Sequence, residues 1–282
     1  MKARVLFAGL FNFVIHRLPV LYAIGWLNRH FNFLSTVFVM YPASEEYAKA
    51  YVCPTQMERM RWSPWIVGLY YQNGKFGLSA VISSTERDFL NQDNVVNMKH
   101  MYEKAHEISK LVGATQVNFA GILPGVLNKQ GISKGSIEAQ VTVETVIKAE
   151  ESLRITLNLK EDTPIILFGS AGFIGRRVAH RLSHRKLFLV DKADPKTLEN
   201  TSWYKSLRGM PAILLNLASQ DALTQNLPHL WREVVVLNEV YPEPEAETVS
   251  ALGALGCSAY HIIGLRAFTL PSFPKAYKGG IP

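Results

Sequence analysis

One stretch constrains this chain more than any other: Pro164-Ile165-Ile166-Leu167-Phe168-Gly169-Ser170-Ala171-Gly172-Phe173-Ile174-Gly175. A short apolar run ends in glycines spaced three residues apart, and Arg176 to Leu182 reads as helix. Strand, glycine turn and helix start, in that order, open a nucleotide-binding βαβ unit. Each glycine has a physical task there. Gly169 lets the chain turn sharply at the strand end. Gly172 removes a side chain that would block a pyrophosphate. Gly175 lets the helix lie close to the strand. The helix start adds unpaired N–H groups and a positive dipole end. Gly169, Ser170, Ala171, Gly172, Phe173 and Ile174 are therefore candidate cofactor contacts. The glycine pattern alone also fits an ordinary tight turn with no ligand.

The context favours the ligand. Lys186 to Val190 reads as the next strand, and it ends in Asp191, about 20 residues beyond the first glycine, where an acid holds a ribose hydroxyl. A carboxylate there suits NAD, whereas Lys192 beside it suits the 2′-phosphate of NADP. The expected cofactor is NAD or NADP. The rhythm continues with strands at 211–217, 233–238 and 258–263. Helices are expected at about 195–207, 221–230 and 244–254. Such alternation predicts a doubly wound parallel sheet of the Rossmann type, with right-handed crossovers. Ligands then bind outside the carboxyl ends of the strands. That selects Leu217-Ala218-Ser219, Asn238 to Tyr241 and Ile263 to Leu265 in addition. Asn216, Ala218 and Ser219 are candidates to line the nicotinamide ribose, with a strand-end turn as the bland alternative.

The 282 residues are enough for two domains. The first is read as a smaller α/β substrate domain over 1–150, and 151–282 as the dinucleotide domain. Arg4 to Phe11 reads as a buried parallel strand, with Asn12 at its end. Phe13 to Leu27 reads as helix, kinked or restarted at Pro19. Thr36 to Tyr41 is a strand, and Ser44 to Tyr51 a short helix. Two apolar runs, Trp65 to Tyr71 and Phe76 to Ile82, flank Asn73-Gly74, the strongest short hairpin signal. Val95 to Val112 places Met98, Met101, Tyr102, Ala105, Ile108 and Val112 on one helical face. Its His100, Glu103, His106 and Glu107 read as a solvated face rather than metal ligands. Thr115 to Ala120 is a strand that runs into a loop at Gly121–Gly125. A second loop holds Ser133 and Lys134, and Ser136 can cap a helix running to about Leu153.

Hydrophobic residues make up 48% and charged residues 19%, so a full core can form. The net charge of +7 is spread along the chain, which does not suggest nucleic acid. The two cysteines, Cys53 and Cys257, fit a reducing, cytoplasmic setting. No segment offers about 18 uninterrupted apolar residues, so no spanning helix is expected. A membrane-surface contact through Phe7 to Trp26 stays open, and the sequence is silent on oligomeric state. For catalysis, Lys134 is a candidate proton donor or carboxylate clamp, and Asn12 a similar candidate. Cys53 reads either as an acyl-accepting thiol or as packing.

Two resemblances have residues behind them. Val235 to Pro244, followed by Thr248, Gly256 and Ile263-Gly264, resembles the end of the cofactor domain in shikimate dehydrogenase-like proteins. There a strand ends in a Val-Tyr-x-Pro turn. The usual catalytic-lysine motif of that family is absent from the first half. More of the chain is similar to fatty acyl-carrier-protein reductases of the cyanobacterial type. Met98 to Leu127, the helix after Ser136, the Gly169–Gly175 turn, Tyr241-Pro242 and the hairpin all fit in order. That resemblance implies reduction of acyl thioesters with NADPH through a cysteine acyl-enzyme. No cysteine follows Cys257, so the acyl-enzyme step is not carried over. The expected function is an NAD(P)-dependent oxidoreductase acting on a small carbonyl, aldehyde or acyl-derived substrate, apolar in character. The alternative is a non-catalytic dinucleotide-binding accessory or regulatory protein.

Overall fold

The computed structural model describes residues 2–15, 17–42, 45–51, 54–72, 74–134, 137–191, 198–241, 243–262 and 268–272. The chain divides into two compact units, one of Met1–Glu138 with Gly264–Pro282, the other of Ala139–Ile263. Residue 150, the boundary expected from sequence, falls inside a continuous helix.

The first unit opens with two helices, α1 (Lys2–Ile15) and α2 (Leu18–Phe31). Arg4 to Phe11 is therefore helix, not the expected strand. A short apolar run does not distinguish the two by periodicity. Here the run is helix-length, and apolar residues occupy its outer face as well as its inner one. Pro19 starts α2, where its missing N–H has no partner to lose. Then come β1 (Leu34–Met40), α3 (Glu45–Tyr51), α4 (Pro54–Met60), β2 (Trp65–Gln72) and β3 (Lys75–Val81). Strands β2 and β3 pair antiparallel as the hairpin signal predicts, and Gly74 takes a φ of 80°. Asn73 lies outside the described residues.

Next are α5 (Glu86–Leu90), α6 (Val95–Val112), β4 (Gln116–Phe119) and α7 (Leu123–Lys129). Met98, Met101, Ala105, Ile108 and Val112 are buried on α6, and Gly113 ends it at a φ of 69°. The expected loop at Gly121–Gly125 is instead the start of α7. Pro124 sits in its first turn, where proline is tolerated.

The second unit begins on α8 (Ile137–Thr156). It continues through β5 (Ile165–Phe168), α9 (Gly175–Arg181), β6 (Leu187–Val190), α10 (Tyr204–Leu207), β7 (Ala212–Asn216), α11 (Gln220–Asn226), β8 (Val234–Asn238), α12 (Ala246–Ala254) and β9 (Ser258–His261). All five strands are parallel, in the order β6-β5-β7-β8-β9. One sheet face, with Ile165, Leu167, Ile213 and Leu215, packs on Val143, Val146 and Ile147 of α8 and Val178 of α9. The other, with Ile166, Phe168, Leu214 and Val236, packs on Leu207 of α10, Leu223 of α11 and Leu252 of α12. Helices cover both faces, which is the doubly wound arrangement. The long helix expected at 195–207 is broken: a 3₁₀ turn at Leu198–Asn200 precedes the single turn of α10, and Asn226 Oδ1 accepts the Leu198 N–H at 2.8 Å.

A buried ion pair ties α8 to the entry of β5. Arg154 binds Glu150 one helical turn back, and donates to the carbonyls of Lys160 at 2.7 Å and Thr163 at 2.9 Å. Downstream, β10 (Phe268–Leu270) pairs antiparallel with β2. The first unit's sheet is thereby completed in the order β10-β2-β3-β1-β4.

Candidate functional site

The strand order reverses between β5 and β7. A chain leaving β5 moves one way to β6, and the chain entering β7 returns to the other side. Such a switch point leaves a crevice at the carboxyl ends of the two strands. The glycine turn sits in it. Gly169 takes a φ of 78°, and a side chain there would meet Leu217 O at 2.8 Å and Ala218 N at 2.9 Å. Only glycine satisfies both demands. Gly175 packs closer still, since a Cβ would stand 1.9 Å from Gly169 O. Gly172 is exposed, and a Cβ there would touch only Gly169 O, at 3.0 Å. Helix α9 is seven residues long and starts only at Gly175. The turn itself therefore dominates this corner, more than a helix dipole does.

Asp191 closes the turn from the side. Its Oδ2 accepts the Ala171 N–H at 2.8 Å, and Gly169 N–H donates to Val190 O at 2.9 Å. Beside Asp191 opens a cavity of about 330 Å³. Phe168, Gly169, Val190 and Asp191 form one wall, and Ala218, Ser219, Asp221, Ala222, Gln225 and Asn226 the other. The α11 residues of this lining were not among the sequence candidates. Their signal was the helix after the third strand, read for its existence and not for its facing side. Ser219 caps that helix, its Oγ accepting the Ala222 N–H at 3.1 Å.

Asn216 is fully buried and works inward. Its Nδ2 donates to Ser219 O at 3.1 Å and to Asn238 Oδ1 at 2.8 Å, while its Oδ1 accepts the Ala218 N–H at 3.2 Å. It shapes the turn that carries Ala218 and Ser219. Asn238 extends the chain along the sheet edge, donating to Val240 O at 2.8 Å and lying 3.0 Å from His261 Nδ1. With both Asn238 N–H groups donated, His261 Nδ1 is the acceptor and its proton sits on Nε2. That Nε2 is buried and has no partner among the described residues. Burial pushes the His261 imidazole down, with Glu243 and a hydrogen bond to the Asn238 backbone offsetting part of that shift. The Tyr241 ring packs edge-on against it at 4.6 Å.

Burial pushes the Glu239 carboxyl up to about 7. Burial, with help from Glu243 and Glu239, pushes the Tyr241 hydroxyl up to about 12. Three strand ends thus carry an amide relay, an imidazole, a phenol and a carboxyl that titrates near neutrality. Sequence reasoning missed His261 because β9 ends there, two residues before the expected end.

The remaining candidates lie elsewhere. Asn12 is buried on α1, not at a strand end, and its Oδ1 accepts the Ile66 N–H at 3.1 Å. Lys134 is exposed in the bends after α7. Lys192, Ser136, Cys53 and Ile263 to Leu265 lie outside the described residues. Cys257 is packing: its buried thiol is raised by burial and donates to Trp231 O. No metal-holding cluster occurs among the described residues.

No family model matches the chain, and no curated protein matches it. Solved structures do. A shikimate dehydrogenase in complex with NADP+ matches at 13% identity, covering 82% of this chain and 85% of that one, with a TM-score of 0.46. A quinate dehydrogenase from Corynebacterium glutamicum in complex with NAD matches at 12% identity, covering 80% and 87%, with a TM-score of 0.41. An L-tryptophan dehydrogenase from Nostoc punctiforme matches at 14% identity, covering 80% and 68%, with a TM-score of 0.39. At these identities and scores, the neighbours carry no argument about what this chain binds or does. The resemblance to acyl-carrier-protein reductases draws no support from them.

Proposed function

We propose that the second unit binds NAD or NADP across the β5–β7 switch point, and that the protein is a nicotinamide-dependent oxidoreductase. One observation carries this reading: the cavity at the strand ends is walled on one side by a positive-φ glycine turn and Asp191. Gly169 keeps the turn tight where no Cβ fits, and the exposed, side-chain-free Gly172 suits the close approach of a diphosphate backbone. Asp191 would accept ribose hydroxyls, and Asp191 with Asp221 makes the cavity wall acidic. That favours an uncharged base and ribose over an extra phosphate, hence NAD over NADP.

When bound, the cofactor supplies or accepts hydride. The chain's own groups at the ends of β8 and β9 would handle the accompanying proton. His261 Nε2–H, held in one tautomer by the Asn216–Asn238 relay, is a donor aimed away from its own partner. Tyr241 keeps its proton through the ordinary pH range, and Glu239 exchanges one near neutrality. The substrate class proposed is a carbonyl, aldehyde or acyl-derived compound.

The test is thermal denaturation with NAD, NADH, NADP and NADPH in turn. A ligand at a hundred times its Kd should add about 2.7 kcal/mol of stability. No shift with any of the four sinks the reading. Binding with no change in nicotinamide absorbance across aldehydes, ketones and acyl thioesters would point to an accessory protein instead.

A further inference from the structure

The outer faces of α1 and α2 are built the wrong way round for water. On α2 the buried positions are Leu21, Gly25 and Asn28, while Leu18, Tyr22, Trp26, Leu27 and Phe31 stand in solvent. The inward face is held by close approach and polar bonds. A Cβ at Gly25 would stand 2.0 Å from Leu111 O of α6. Asn28 donates to Leu34 O at 2.8 Å and Gly113 O at 2.7 Å, and accepts the Leu34 N–H at 2.7 Å. On α1, Leu6, Leu10, Phe13 and Val14 are likewise exposed, at spacings of four, three and one. Trp26 is 57% exposed and Phe31 73%. Leaving this many large apolar side chains in water marks an interaction face.

Charge says what covers it. No aspartate or glutamate precedes Glu45, while Lys2, Arg4, Arg17 and Arg29 all lie in that span. The Arg17 guanidinium lies 4.2 Å above the Phe13 ring, placing a cation beside the apolar surface. Tryptophan, tyrosine and arginine bordering an apolar strip are the chemistry of a bilayer interface. By length and composition, Gly9–Ile15 and Leu18–Phe31 together match a bent or re-entrant pair, and neither helix alone matches a span. The two helices meet at a 75° bend, and α2 has 14 residues against the roughly 20 a span needs. No single helix among the described residues is long and apolar enough to cross a membrane.

We propose that the outer faces of α1 and α2 form a docking surface that lies in the headgroup region of an anionic lipid bilayer. This surface stands apart from the nucleotide reading and does not depend on it. The test uses the full chain with vesicles of phosphatidylcholine alone, or mixed with phosphatidylglycerol. Flotation with the anionic vesicles is expected to be about tenfold stronger than with the neutral ones, and to weaken as salt rises. Brominated lipid should quench the Trp26 share of the fluorescence, read as the difference from Trp26→Phe. Leu18→Ser with Trp26→Ser should abolish flotation without lowering Tm, because both side chains are exposed. Arg17→Gln with Arg29→Gln should remove the anionic preference. Three results would overturn the proposal: no flotation with either vesicle, equal flotation of the serine variant, or a lipid-free dimer that the serine variant converts to monomer.

Discussion

Gly175 sits so close to Gly169 that one added methyl would overlap its carbonyl oxygen, at 1.9 Å. Gly172, between them, faces the same oxygen at 3.0 Å and is otherwise open. Gly175 is therefore a packing requirement, and Gly172 a question of what approaches from outside. Gly175→Ala should destabilise the protein by about 1–3 kcal/mol, because backbone must shift. Gly172→Ala should change Tm far less while removing the stabilisation by nicotinamide cofactors. Denaturation melts of both variants, with and without NAD, separate the two roles.

Asp191 serves the turn through Ala171, and on the proposed reading serves a ribose as well. Asp191→Asn keeps an acceptor for the Ala171 N–H but loses the charge. Stability should fall by less than about 1 kcal/mol, while the Kd for NAD should rise about tenfold. Titration calorimetry measures the second. An unchanged Kd would remove Asp191 from the cofactor's contacts.

Glu239 gives the protein a pH dependence of definite sign. In the unfolded chain the carboxyl titrates near 4.5, whereas folding raises it to about 7. The folded state holds the proton longer, so stability is full below pH 4.5 and falls as pH rises towards 7. The loss should total about 3 kcal/mol by pH 8. Urea unfolding of wild type and Glu239→Gln across this range checks it, since the glutamine variant should lack that slope.

The buried pair on α8 is a stability element with no expected role in binding. Glu150→Ala leaves the Arg154 guanidinium buried with only carbonyl partners. Breaking such a pair should cost about 3–5 kcal/mol. Leu or Met at both positions should recover most of it. Chemical denaturation of the single and double variants reads both effects.

The parallel sheet was legible because strand, turn and helix each left a local mark. The Gly169–Gly175 spacing, the Asn73-Gly74 hairpin and the α6 face are all set by neighbours a few residues apart. The α1 helix was not, since a segment apolar on every side shows neither a period of two nor one of 3.6. The cavity was half legible. Gly169 and Asp191 are bound to their strand ends, but Asp221, Gln225 and Asn226 reach it only through the packing of α11. The chain from Asn216 through Asn238 to His261 was hidden too, because its members meet only when three strands align.

Gly68 is shaped for a strand made only after the whole second unit. A Cβ there would stand 2.4 Å from Leu270 O, so β2 keeps a slot for β10. The second unit is contiguous in sequence, and all its parts are available before that slot is filled. On a ribosome, the second unit can finish folding while the first, begun earlier, still waits with the β2 edge unpaired. Synthesis order and completion order are thus opposite in this chain, and the β2 edge is the place where a nascent chain is most open to pairing with the wrong partner.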